Sequence, residues 1–256
     1  MNPAAGFTYK PSRFFNTYFD YSEASRSPTS IELGCSDPTR PCNLPDALVS
    51  DPPLKQVVSR TFEVGIRSNE NLSLHLSADY FFGQNYNDLL FVASEQTGFG
   101  YFLNFGKTRR DGLELEFSED WRHWSVGSNY TFLNATYQSP QTIDGGSNST
   151  NDSALAGQPG IYVIHIVPGD FIPQVPRNIF KLYGQFRPSS KLTAELNVPA
   201  VGSSFARGNE NNLDQPGATL GTRYGDDNVP IRSSSFQAAG TPFNVYGGLK
   251  FTLWKR

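Results

Sequence analysis

The chain has 256 residues, with 21 Lys plus Arg against 24 Asp plus Glu, for a net charge of −3. It lacks the basic excess of a nucleic-acid-binding surface, and a mean hydropathy of −0.43 goes with the lack of any apolar run of about 18 residues, the length of a transmembrane helix. Aromatic residues make up 14% of the chain, enough buryable surface to argue against disorder.

The chain opens Met1-Asn-Pro-Ala-Ala-Gly6, with neither a basic n-region nor an apolar h-region, so no secretory signal is expected within it. Strands are predicted near 4–10 and 14–24, joined by the tight turn Pro11-Ser12-Arg13. A long polar stretch near 25–54 holds both cysteines, Cys35 and Cys42, across a Pro-rich loop. Their spacing suits a local disulfide in an oxidising compartment, with two independent reduced thiols as the alternative. A zinc site is not expected, because the three histidines (His75, His123 and His165) are scattered.

Further strands are predicted near 56–68 and 72–92, around the turn Asn69-Glu70-Asn71. In the second, Leu72, Leu74, Leu76, Ala78, Tyr80 and Phe82 alternate with Ser73, His75, Ser77, Asp79 and Phe81. After a short polar segment near 95–100 come strands near 100–118 and 123–137, around Glu119-Asp120-Trp121-Arg122. Here Leu113, Leu115 and Phe117 alternate with Glu114 and Glu116, and Trp124, Val126, Tyr130 and Phe132 share a face. A long stretch, 138–173, precedes strands near 175–187 and 191–205, with Pro188-Ser189-Ser190 between them. Another long stretch, 206–240, leads to a last strand near 242–254.

Period-2 alternation thus runs from end to end, and connections alternate between tight turns and long loops. An antiparallel transmembrane β-barrel has this form, with short periplasmic turns, long extracellular loops, an apolar face to lipid and a polar face to the lumen. A soluble β-sandwich is the competing fold, but its strands run to about five or six residues, and it gives no reason for every second turn to be tight. On this reading Glu63, Arg67, Glu114 and Glu116 face the lumen. Gly106 and Gly112 mark places of close backbone approach or bulging. About nine strands form an all-β, partial barrel, because an odd number leaves open edges that lipid cannot satisfy. The chain is therefore expected to be a piece of a larger barrel.

Several segments carry a resemblance: Tyr18-Phe-Asp-Tyr-Ser-Glu23, Arg26-Ser-Pro28 with Glu32-Leu33, the cysteine loop with Asp51-Pro-Pro-Leu54, and Ser59-Arg-Thr-Phe-Glu-Val-Gly65. Further on come Asn104-Phe-Gly-Lys-Thr-Arg-Arg-Asp-Gly-Leu-Glu-Leu115, Tyr130-Thr-Phe-Leu-Asn-Ala-Thr136 and Ile172-Pro-Gln-Val-Pro-Arg177. In this order and spacing they resemble the C-terminal part of the barrel of TonB-dependent outer-membrane receptors. In Tyr246-Gly-Gly-Leu-Lys-Phe-Thr-Leu-Trp254, Tyr246, Gly248, Phe251 and Leu253 resemble the signal read by the outer-membrane assembly machinery, although Lys255-Arg256 follow the aromatic residue at which relatives commonly stop. The family usually has two more strands where 206–240 runs here. Residues 1–256 are thus expected to be the C-terminal portion of such a barrel, with plug domain and first half absent.

The resemblance implies a fragment of a receptor for TonB-dependent uptake of a scarce ligand, most often a ferric siderophore, that does not transport alone. Tyr162, His165 and Phe171 in the loop 138–173 are candidate ligand contacts. Expected partners are outer-membrane lipid, the barrel-assembly machinery, the ligand and, through the absent plug, the TonB complex. The expected location is the Gram-negative outer membrane. No catalytic, cofactor or metal site is expected, since no G-x-S-x-G or histidine cluster supports an enzyme. The alternative is a small complete outer-membrane barrel acting as a passive pore or adhesin.

Overall fold

The computed structural model describes residues 2–37, 54–69, 73–93, 100–145, 153–154, 162–189, 191–205, 208–213, 222–224, 230–232 and 246–251. In chain order these hold β1 (Ala4–Tyr9), β2 (Phe15–Arg26), the short helix α1 (Ser30–Gly34), β3 (Val57–Ser68) and β4 (Leu74–Tyr86). Then come β5 (Leu89–Ala93), β6 (Gly100–Asn104), β7 (Lys107–Asp120), β8 (Trp124–Tyr137) and β9 (Gln141–Asp144). The rest are β10 (Ser153–Ala154), β11 (Tyr162–Ile166), β12 (Asn178–Ser189), β13 (Leu192–Val201), β14 (Thr222–Tyr224), β15 (Pro230–Arg232) and β16 (Tyr246–Phe251).

Nine of these strands form one antiparallel sheet in the order β1-β2-β3-β4-β7-β8-β12-β13-β16. Strand directions put the junctions β1–β2, β3–β4, β7–β8 and β12–β13, two to five residues each, at one end of the sheet, and the longer junctions β2–β3, β4–β7, β8–β12 and β13–β16 at the other. At the tight end, neighbouring turns are tied together: the Asn69 N–H donates to the Phe14 carbonyl at 2.9 Å, and the Arg187 N–H to that of His123 at 2.7 Å.

The register explains the alternation. One cross-strand row reads Phe7, Phe19, Val64, Tyr80, Leu113, Phe132. Another, two residues along, reads Tyr9, Thr17, Ile66, Ala78, Leu115, Tyr130, Phe180, Ala200. These residues cover no core: Phe7 is 65% exposed and Val64 50%. In water such a face would be a large aggregation-prone patch; against lipid it is a matched surface, and the continuous ladder satisfies the backbone groups that lipid cannot. At the tight-turn end Trp121 and Trp124 are exposed, and Trp124 stacks on Phe186 at 4.2 Å between ring centroids. That is the interfacial aromatic girdle of a barrel.

The opposite face is polar. One row reads Thr8, Tyr18, Gly65, Asp79, Glu114, Thr131, and the next Asn16, Arg67, Ser77, Glu116, Asn129, Lys181. Glu63, Arg67, Glu114 and Glu116 therefore lie on the lumen side, as alternation predicts.

The two long strands expected at 72–92 and 100–118 stop earlier. β4 ends at Tyr86 and β7 begins at Lys107; between them β5 and β6 pair as a separate hairpin, Leu89 opposite Asn104. The breaks are local and conformational. Asn87 takes a φ of +53° and Gly106 one of +33°, and both turn the chain out of the wall. Gly106 is thus a turn residue and not a strand residue. Past β13, the ladder goes directly to β16, Leu192 opposite Phe251, while β14 and β15 pair only with each other.

Candidate functional site

Two side-chain assemblies stand out, one on the lumen face of the wall and one at its long-loop end. The first is on the lumen face. Tyr18 on β2 donates its hydroxyl hydrogen bond to Asp79 on β4 at 2.6 Å and lies 2.8 Å from Glu63 on β3. Gly65 stands between, and its lack of a side chain lets the phenol cross the intervening strand: a Cβ there would sit 1.9 Å from Asp79 Oδ1 and 2.7 Å from the Tyr18 ring. The Arg67 guanidinium lies over the same ring at 5.4 Å. Gly112 shows another close approach, with its Cβ position 1.9 Å from the Phe132 carbonyl oxygen.

The second assembly closes the long-loop end. Val92, Phe105, Ala135, Tyr137, Ile143, Ile164, Ile166 and Ile172 form a buried apolar core that ties the β5–β6 hairpin and the β9–β11 pair to the top of β8. The Phe105 ring stacks on Tyr137 at 5.1 Å. Asp88 anchors the hairpin: its carboxylate accepts from the Thr108 hydroxyl at 2.5 Å, from Arg110 at 3.3 Å and from the Leu89 N–H at 3.1 Å. The described parts of these two loops therefore form a folded layer with its own core, able to hold side chains in fixed positions.

The loop after β2 has its own device. Thr29 caps α1, with Glu32 returning the bond to the Thr29 N–H at 2.7 Å, a reciprocal capping box. Arg26 grips the same carboxylate with Nη1 at 2.7 Å and Nη2 at 3.0 Å. Burial opposes ionisation of Glu32, but the Arg26 and Thr29 bonds outweigh it and hold its carboxyl below the usual carboxylate range. Cys35 follows, buried at the C-cap, and its carbonyl accepts from the Phe102 N–H of β6 at 2.6 Å. Cys42 lies outside the described residues.

Tyr162 and His165 both fall on β11, three residues apart, so their strand positions belong to opposite faces. His165 is exposed, and its Nδ1 lies 3.1 Å from the Thr142 hydroxyl. Phe171 lies beyond β11, bridged to Thr136, with its ring stacked on Phe205 at 6.0 Å and under the Arg177 guanidinium at 4.6 Å. Phe171 is held by Arg177 and Phe205. At the other end of the chain, Tyr246, Gly248 and Phe251 occupy β16, opposite Asn197, Glu195 and Leu192. Leu253 lies outside the described residues. Sequence reasoning passed over the Tyr18–Asp79 contact and Asp88; the register would have been needed to find the first, and the Asn87-Asp88 pair before a new apolar run was a legible turn signal for the second.

An antiparallel wall with lipid-type residues outside, charge inside, tight turns at one end and folded loops at the other defines an outer-membrane β-barrel of the receptor kind. The chain matches the family model described as TonB dependent receptor-like, beta-barrel, over residues 1–249, and belongs to that family. The family comprises receptors and transporters of the Gram-negative outer membrane. Among solved structures it is similar to the ferric enterobactin receptor PfeA from Pseudomonas aeruginosa, at 13% identity and TM-score 0.56, covering 99% of this chain and 33% of that one. It is also similar to the copper transporter OprC, at 15% identity and TM-score 0.54, covering 77% and 26%. A third is the ferric yersiniabactin uptake receptor FyuA from Yersinia pestis, at 18% identity and TM-score 0.50, covering 84% and 27%. The chain spans about a third or less of the length of these structures.

Proposed function

We propose that this chain supplies a lipid-embedded wall and the ligand-facing loops of a receptor for TonB-dependent uptake of a scarce ligand of the ferric siderophore class. The observation that carries the reading is the outward apolar register on an antiparallel wall, with the described parts of two long connections, 87–106 and 138–177, packed around a core of their own at one end. The printed names of two similar structures, a ferric enterobactin receptor and a ferric yersiniabactin uptake receptor, favour the ligand class.

In this reading Tyr162, His165 and Phe171 lie in the capturing loops and a Cys35–Cys42 disulfide pins the loop after β2. Residues 246–253 serve as the strand read by the assembly machinery. Energy from TonB would enter through a plug domain that these strands do not contain. The edges β1 and β16 both run from the long-loop end to the tight-turn end. Antiparallel closure thus needs an odd number of further strands between them, which speaks against a small complete pore or adhesin.

The test is growth. Exported behind a signal peptide into a strain lacking its own siderophore receptors, the chain alone is expected to confer no growth on ferric siderophores. Joined to a plug and preceding strands, it is expected to confer TonB-dependent uptake. Uptake by this chain alone would overturn the reading, as would heat-modifiable gel migration of the isolated chain together with solute flux through it.

A further inference from the structure

The long connections are held by two different means. Those after β4 and β8 share the apolar core to which Phe105, Ile164 and Ile172 belong. Among the described residues, the connections after β2 and β13 add no side chain to that core. They lie on either side of it, because the sheet order puts β2 and β3 before β4, and β13 and β16 after β12.

Each outer connection is instead fastened by an asparagine amide with backbone bonds around it. Asn104, the last residue of β6, accepts from the Lys55 N–H with Oδ1 at 2.8 Å and donates from Nδ2 to the Lys55 carbonyl at 3.1 Å. The same Nδ2 donates to the Asn87 carbonyl at 2.7 Å, which fixes the amide on the hairpin side. Two residues back on β6, the Phe102 N–H donates to the Cys35 carbonyl at 2.6 Å, so both described ends of the connection return to one strand. Asn212 repeats the arrangement from the outer side. Its Oδ1 accepts from the Phe171 N–H, and its Nδ2 donates to the Phe171 carbonyl at 3.0 Å and to the Asn209 carbonyl at 3.1 Å. Nearby the Gln174 N–H donates to the Phe205 carbonyl at 2.8 Å, and the Phe205 ring stacks on Phe171.

In both places one amide satisfies the N–H and the C=O of a single backbone residue, as a neighbouring strand would. Both clasps also adjoin the core directly: Asn104 precedes Phe105 in the chain, and Phe171 precedes Ile172.

We propose that the outer segments, 27–37 with 54–56 and 202–205 with 208–213, are two straps latched by one asparagine amide each. Asn104 latches the first and Asn212 the second, and the straps release independently of each other and of the core-bearing layer between them. Hydrogen bonds that water can replace hold the straps, whereas apolar burial holds the layer, so the straps open first. They stand on contacts within the loop end itself, whatever the ligand class.

Residue-resolved hydrogen exchange on the full chain in detergent micelles reads backbone bonds that the substitutions do not touch. The Phe102 N–H reports the first strap and the Gln174 N–H the second. The layer is reported by the Ile172 N–H, bonded to the Ala135 carbonyl, and by the Leu103 N–H, which alternation turns toward β5. Asn104→Ala is expected to speed exchange at Phe102 by about ten-fold or more and to leave Gln174, Ile172 and Leu103 unchanged. Asn212→Ala is expected to do the same at Gln174 and to leave Phe102, Ile172 and Leu103 unchanged. Asn104→Asp keeps shape and acceptor but has no donor at neutral pH, so there it matches Asn104→Ala. At pH 4, protonation of the introduced carboxyl, favoured by the two carbonyls it faces, restores a donor and brings the ratio to the wild-type rate back toward one. Four results would overturn the straps: a Phe102 or Gln174 amide unprotected in the wild-type chain, no acceleration there in the Ala variants, one variant accelerating both reporters, or acceleration at Ile172 or Leu103. A ratio for Asn104→Asp that is the same at pH 7 and pH 4 would overturn the amide as the latch.

Discussion

Tyr18 and Asp79 meet across an entire strand: the phenol of β2 donates to the carboxylate of β4 at 2.6 Å, over a glycine on β3. The bond links next-nearest neighbours of the wall. Its removal tests how much the lumen side contributes to holding the register.

Gly65→Ala is expected to push Tyr18 off Asp79 and destabilise the wall by about 1–3 kcal/mol. Gly112→Ala meets backbone at 1.9 Å where Gly65→Ala meets side chains, and is expected to cost more. Gly184→Ala, with nothing within 4 Å, serves as the neutral control. Urea midpoints in detergent micelles measure the order.

Leu113 is 45% exposed in the middle of the apolar rows, with Glu114 beside it on the lumen side. Leu113→Lys is expected to cost about 2–4 kcal/mol in lipid vesicles, whereas Thr131→Lys on the lumen row costs little. Equal costs in urea unfolding would contradict the assignment of faces.

Asp88 is 6% exposed and gathers Thr108, Arg110 and the Leu89 N–H. Asp88→Ala leaves a partly buried guanidinium and a buried hydroxyl without their acceptor, at about 3 kcal/mol. Hydrogen exchange is expected to speed up in β5 and β6 while β4 and β7 stay protected.

Glu32 titrates below its unfolded value because Arg26 and Thr29 bind its charged form. Its stabilisation of the loop is therefore complete above the ordinary carboxylate pKa of about 4.3 and is lost as pH falls through the lower folded value. Amide exchange in α1, corrected for intrinsic rates, is expected to be flat from neutral pH down to about that value and to rise below it. Arg26→Gln moves the onset upward. An unchanged onset would contradict the pairing.

The wall was legible because lipid on one side and a polar lumen on the other write a period of two into every strand, as in Leu113-Glu114-Leu115-Glu116. Its internal limits were less legible. The strands β5 and β6 are themselves β-structure, so the apolar run Leu89-Leu90-Phe91-Val92 reads as more strand without showing that the chain has left the sheet. The decisive signals there are two backbone angles and one buried carboxylate, and alternation is blind to all three. Side-chain convergence is harder still. Phe171 is fixed by Phe205 and Arg177, whose approach depends on how the loops fold, and His165 turns to Thr142 through the pairing of β9 with β11.

The junction of β13 with β16 leaves the β14–β15 hairpin outside the ladder. Two antiparallel strands set aside as a pair leave the direction of the strand that follows unchanged. Membership of such a sheet changes in units of two, and the circumference, which grows about linearly with strand number, changes in matching steps.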